Sequence, residues 1–173
     1  KIIEIKEICS NWGLPLIEDA AEALGSAVLK NNQKVHCGCF GDLGTISFNG
    51  NKIITTGGGG AILTNNYEYF KSAKHLSSTA KINHPWDFFH DQIGWNDRLP
   101  NINAALGVSQ IEMLGEKLRL KRILHSKYKE IFANFKEVEI LEESENCESN
   151  YWLITLRLKE KKHEHLKTEI LSY

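Results

Sequence analysis

Pro15-Leu16-Ile17-Glu18-Asp19 is a short apolar run that ends in two carboxylates. Before it, Ile2, Ile5, Ile8, Cys9 and Trp12 recur at helical spacing, and Gly13 is placed to stop that helix. A helix, a tight turn and a buried strand make an α/β unit, whose natural architecture is a mostly parallel sheet with flanking helices. Polar groups at the C-terminal end of such a strand stand where open α/β sheets bind ligands. Glu18 and Asp19 are therefore candidate ligand residues by position as well as by type.

Further along, residues 30–41 read as a loop. Residues 43–48 and 60–64 read as strands on either side of Lys52 and the run Gly57-Gly58-Gly59-Gly60. Asn65-Asn66 can cap a helix that follows. Residues 80–100 are irregular and rich in aromatics (Trp86, Phe88, Phe89, His90, Trp95), a mixture suited to binding or to an interface. From Ile102 to Phe135 the pattern is helical, with Ile102, Ala105, Leu106, Ser109, Met113 and Leu114 on one face and Gly115 as the expected break. The basic run Lys117, Arg119, Lys121, Arg122 is expected as a solvated helix face. Val138–Leu141 and Tyr151–Leu158 alternate like antiparallel strands, linked by the acidic loop Glu142-Glu143-Ser144-Glu145, and a final helix starts near His163. This tail reads as the opening of a second, smaller α+β domain. Residues 1–115 then form part of a large domain, and 116–173 the connecting helix and the start of the small one.

The chain has 173 residues, enough for a core. With 42% hydrophobic and 25% charged residues it has the profile of a soluble globular protein. A formal net charge of -1 offers no electrostatic basis for binding nucleic acid or an anionic membrane. No apolar run is long enough to span a bilayer, and Lys1-Ile2-Ile3-Glu4-Ile5-Lys6-Glu7 lacks the apolar core of a signal peptide. A cytoplasmic protein is expected. Cys37 and Cys39 are one residue apart rather than two, and although His36 stands beside them no second Cys/His pair completes a metal site. With Cys9 and Cys147 they are expected to be reduced, structural thiols. The first residue is not Met and the last residues lie inside a helical pattern, so both ends read as cut.

Lys52 follows an apolar run ending in Ser47-Phe48 and precedes the glycine run. An amine held there could form a Schiff base with a carbonyl cofactor, while Ser47 and nearby backbone N–H groups held its phosphate. Taken singly, each residue has a plainer reading: Lys52 as a surface lysine beside a flexible turn, Asp19 as a helix N-cap, Ser47 as a strand-end hydroxyl, Asn96 as a turn residue. Taken in order and spacing, they supply what pyridoxal 5'-phosphate needs. A lysine must form the imine, a carboxylate must keep the pyridine nitrogen protonated, and hydroxyls and N–H groups must hold the phosphate.

Three blocks carry a family resemblance: Glu18-Asp19-Ala20-Ala21-Glu22-Ala23-Leu24-Gly25-Ser26, then Phe40-Gly41-Asp42 through Ser47-Phe48 to Lys52, then Gly94-Trp95-Asn96-Asp97-Arg98. Together they resemble the DegT/DnrJ/StrS family of pyridoxal-phosphate-dependent nucleotide-sugar aminotransferases, of fold type I. The resemblance implies an α/β chain holding part of the cofactor-binding large domain and the start of the small C-terminal domain. It implies that Asp19 binds the pyridine nitrogen, Ser47 the phosphate, and Lys52 the cofactor aldehyde. Glu22 occupies a place near the ring hydroxyl where many members carry glutamine. Gly58 stands where members commonly carry glutamate, which removes a carboxylate near the site. Asn96 would reach the phosphate of the neighbouring subunit's cofactor, which implies a homodimer with shared sites.

The resemblance further implies glutamate as amino donor, the freed Lys52 amine as proton shuttle, and amination at C4 of a keto sugar. A lysine rather than a histidine at this position argues for transamination and against the related sugar 3-dehydratases. His90-Asp91-Gln92-Ile93-Gly94 and Ser149-Asn150-Tyr151-Trp152-Leu153 look closest to a branch that acts on UDP-linked 4-keto-6-deoxy sugars. His90 itself is expected to be structural or at an interface. Members are much longer, with an N-terminal segment that holds another phosphate-binding turn and a ring-stacking aromatic. The chain is therefore expected to be a fragment with little or no activity alone. The reading from another class is a non-catalytic binding or assembly module that keeps part of the fold.

Overall fold

The computed structural model describes residues 1–31, 33–159 and 164–172. Helix α1 (Ile2–Asn11) stops at Gly13, whose φ of 61° lets its N–H reach the Ser10 carbonyl at 3.2 Å. Strand β1 (Ile17–Asp19) follows and pairs in parallel with β4 (Leu43–Ser47), with Ile17 opposite Leu43 and Asp19 opposite Thr45. On its other side β4 pairs antiparallel with β5 (Gly60–Leu63), Ser47 opposite Gly60, to give the sheet order β1-β4-β5.

The α/β class is as expected, but parallel pairing among the described strands is confined to β1 and β4. A parallel neighbour needs a crossover connection. Residues 48–59 instead turn the chain straight back from β4 into β5. Ile17 is 64% exposed rather than buried.

Within the expected loop at 30–41, Lys30 and Gln33–His36 are strand. Strands β2 (Ala27–Lys30) and β3 (Gln33–His36) form a hairpin with Val28 opposite Val35, and Asn31 at its tip takes a φ of 50°. Asparagine tolerates that left-handed conformation. Strand β7 (Cys147–Glu148) adds to the free side of β2. Strands β6 (Val138–Ile140) and β8 (Leu156–Leu158) pair antiparallel, as the alternation predicts. Residues 151–155, expected in the same strand as β8, are irregular. Tyr151 has a φ of 45°, which no strand accommodates.

Helix α2 (Tyr67–Leu76) is capped by Asn66, whose side-chain oxygen accepts the N–H groups of Glu68 at 2.8 Å and Tyr69 at 3.2 Å. Helices α3 (Asn101–Glu112) and α4 (Leu114–Phe132) part at Met113, not at Gly115, because Met113 takes φ -91° and ψ -2° and interrupts the helical ladder there. The face expected to be buried on α3 is largely exposed at Ile102, Leu106 and Met113, and its buried residue is Gly107, which lies against Thr56. The last helix is α5 (Glu164–Leu171); its expected start near His163 lies outside the described residues. Ile46 of β4 and Ile53 and Ile54, directly after Lys52, belong to the core with Ala20, Ala27 and Phe40. Among the described residues no helix is long and apolar enough to cross a membrane.

Candidate active site

The Lys52 loop is fixed at both ends by Phe48. Its N–H donates to the Gly59 carbonyl at 2.9 Å, and its carbonyl accepts the Thr56 N–H at 3.0 Å and the Thr55 hydroxyl at 3.1 Å. The Lys52 N–H closes a turn onto the Asn49 carbonyl at 3.1 Å. Burial of Ile53, Ile54 and Thr56 then draws the backbone into the core, and Asn103 of α3 donates its amide to the Thr56 carbonyl. The lysine therefore stands on a rigid ledge rather than on a flexible turn. A Cβ added at Gly60 would lie 2.4 Å from the Ile46 carbonyl oxygen, whereas one at Gly58 would meet nothing within 4 Å. The glycine at 60 is dictated by the β4–β5 pairing, and the one at 58 is not.

The Lys52 side chain is only 12% exposed. Its Nζ lies 3.2 Å from Glu22 Oε1 and 4.1 Å from the centroid of the Trp152 ring. The carboxylate and the indole face both attract an ammonium. Trp152 is held there through its Nε1–H, which donates to the Asn51 carbonyl. Glu22, expected beside a cofactor ring hydroxyl, here pairs with the lysine.

Asp19 ends β1 beside Thr45. Its Oδ1 accepts the Ala21 N–H at 3.1 Å and the Thr45 hydroxyl at 3.5 Å. Among the described residues its Oδ2 takes part in no hydrogen bond. Ser47, at the end of β4, accepts the Asn49 N–H at 3.2 Å and keeps its own proton to donate. The C-terminal ends of the two parallel neighbours thus carry a carboxylate with a free oxygen and a hydroxyl with a free proton, and the lysine follows on the same loop. That donor set fits pyridoxal phosphate, which needs an amine, a carboxylate and phosphate donors.

Glu18 is not a ligand residue. Its Oε2 accepts the Gly38 N–H at 2.9 Å, and its Oε1 accepts those of Phe40 and Gly41 at 2.5 and 2.6 Å. Alternation along β1 turns it away from Asp19 and into the 38–41 turn. Burial, and then the Glu18 charge, push the Cys37 thiol above its ordinary pKa. Asn96 is exposed and bridges to Ser78; among the described residues no hydrogen bond joins it to Asp19, Glu22, Ser47 or Lys52. The His90 Nδ1 lies 2.7 Å from the Thr79 carbonyl oxygen, a contact within the irregular region.

The basic run is not simply solvated. Arg122 donates to both Glu143 oxygens at 3.1 Å and to the Ser149 carbonyl at 2.8 Å, and Lys121 donates to the Trp152 carbonyl at 2.9 Å. These contacts strap residues 143–152 to α4. The buried Asn150 completes the strap. Its amide donates to the Glu22 carbonyl at 2.7 Å and the Leu24 carbonyl at 3.0 Å, and its oxygen accepts the Trp152 N–H at 2.9 Å. Asn150 and Trp152 lie in the block 149–153 that carries part of the branch resemblance, but neither is expected there as a site residue.

The fold is that of part of a fold type I pyridoxal-phosphate-dependent aminotransferase. Over residues 1–172 the chain matches the DegT/DnrJ/EryC1/StrS aminotransferase family, and it belongs to that family. It is 41% identical over 158 residues to EpsN of Bacillus subtilis, provisionally assigned as a pyridoxal phosphate-dependent aminotransferase, covering 91% of this chain and 39% of that protein. It is 35% identical over 157 residues to GDP-perosamine synthase of Vibrio cholerae, covering 91% and 41%. Among solved structures it is similar to Helicobacter pylori PseC, an aminotransferase involved in the biosynthesis of pseudoaminic acid. The TM-score is 0.87 at 27% identity, over 99% of this chain and 45% of that one. The chain spans about two fifths of the length of the curated relatives it matches.

Proposed function

We propose that this chain provides the cofactor-holding part of an aminotransferase that moves an amino group from glutamate to a nucleotide-linked 4-keto-6-deoxy sugar. Pyridoxal phosphate, when bound, supplies an electron sink for the carbon that gains or loses the amino group. Lys52 would hold the cofactor's aldehyde carbon and, once displaced, carry the proton to and from the substrate carbon. Asp19 would accept the pyridine N–H through its free Oδ2, and Ser47 would donate to the phosphate. Glu22 would lie near the ring hydroxyl, and Asn96 would serve the second site of a homodimer. We assign residues 1–115 to the large domain and 116–173 to the connecting helix and small domain.

The observation that carries this reading is the donor set: two parallel strands end in a carboxylate with a free oxygen and a hydroxyl with a free proton, and the amine stands on the loop that follows the second strand and pairs with Glu22, just past the end of the first. Family membership supports the reaction class. The test adds pyridoxal phosphate to the protein, reduces with borohydride, and maps the added mass. Attachment at Lys52, together with a visible absorbance band that Lys52→Ala abolishes, is expected. Attachment spread over exposed lysines with no band would overturn the assignment.

A further inference from the structure

Both partners of the Lys52 ammonium hang from one buried amide. Asn150 is 5% exposed and binds the Glu22 backbone on one side and the Trp152 backbone on the other. The two partners differ in kind. Glu22 is 64% exposed, and an ion pair open to water contributes little. The indole face, by contrast, covers a lysine already withdrawn from solvent, where attraction of a cation to an aromatic ring is strongest.

Trp152 is also over-determined for a residue in an irregular segment. Its N–H is held by Asn150, its carbonyl by Lys121 of α4, and its Nε1–H by the carbonyl of Asn51, next to the lysine itself. Three hydrogen bonds from three parts of the chain leave the indole a single orientation, with its face towards Nζ. Packing alone would need only a large apolar side chain there. It would not need the ring nitrogen to be tied to the lysine loop.

We infer that Trp152 is a positioning residue for Lys52: its fixed indole face holds the ε-amine at the ends of β1 and β4 and shields it from solvent. This rests on the reading of Lys52 as the reacting amine, but its test needs no cofactor. Trace acetic anhydride acetylates lysines in proportion to their access and freedom, and mass spectrometry compares Lys52 with Lys127 in the same sample. Trp152→Leu, which keeps apolar bulk but no ring face, is expected to raise the relative labelling of Lys52 about two- to fivefold. Trp152→Phe, which keeps a ring face but loses the tie to the Asn51 carbonyl, is expected to fall between the parent and the leucine variant.

Glu22→Gln, at an exposed position where folding is safe, is expected to leave Lys52 protected. A large rise there would give the role to Glu22 and overturn the proposal. Parent-like labelling of the leucine variant, or equal labelling of the leucine and phenylalanine variants, would also overturn it. Cofactor uptake by the parent protein is read separately, so a failure of the functional assignment and a failure of Trp152 to position the lysine give different results.

Discussion

Asn150 donates its side-chain amide to the backbone carbonyl of Glu22 at 2.7 Å, joining residues 128 positions apart. Replacing it with alanine leaves the Glu22 and Leu24 carbonyls and the Trp152 N–H without this partner in a buried place. A loss of about 3 kcal/mol or more is expected, since each of the three orphaned groups costs at least about 1 kcal/mol. Asn150→Asp should cost more, because it turns an oxygen towards two carbonyl oxygens. Denaturant unfolding of the three proteins, compared by midpoint at constant slope, measures both.

Asp19→Asn separates charge from structure. The Ala21 N–H and the Thr45 hydroxyl can still be accepted by the remaining carbonyl oxygen. Stability should therefore change by no more than about 0.5 kcal/mol. Affinity for pyridoxal phosphate should fall about 10- to 100-fold, the span of a hydrogen bond to a charged group. Thermal melting and a spectroscopic titration together check the pair of outcomes.

The strap over α4 should loosen in acid. Arg122 donates to both Glu143 oxygens, and this pairing, with the Ser149 N–H, holds the Glu143 carboxyl below its ordinary range. A carboxyl that binds protons more weakly folded than unfolded adds stability above its unfolded pKa, about 4.3 for glutamate. That contribution is lost as the pH falls through the lower folded value. Glu143→Gln should flatten this part of the acid limb of stability against pH while lowering stability at neutral pH. Melting temperatures over the acid range would show it, and an unchanged limb would count against the strap.

The glycine run should tolerate change unequally. Gly58 has open space around a prospective Cβ, so Gly58→Glu should cost less than about 0.5 kcal/mol. Gly60→Ala would press its methyl against the Ile46 carbonyl oxygen in the β4–β5 ladder and should cost about 2 kcal/mol or more. Paired unfolding curves decide this directly.

What was legible in the sequence was local. The helix ending at Gly13, the strand ending at Asp19 and the Asn66 cap each carry their signal within a few residues. The hairpin at 27–36 was hidden because two of its four opposed pairs, Leu29 with Lys34 and Lys30 with Gln33, set polar chains where a strand pattern is sought. The break at Met113 carries no glycine or proline to announce it. Glu18 was misread because its partners lie 20–23 residues away. The contacts of Lys121, Arg122, Asn150 and Trp152 are hidden for the same reason on a larger scale: what these residues do depends on a tail that docks across the fold.

That docking has a consequence for biosynthesis. Trp152 follows Asn51, whose carbonyl it binds, by 101 residues. A ribosome adding about 5–20 residues per second makes Lys52 roughly 5–20 s before its indole neighbour. During that interval the amine lacks its indole cover, which only the late arrival of the tail supplies.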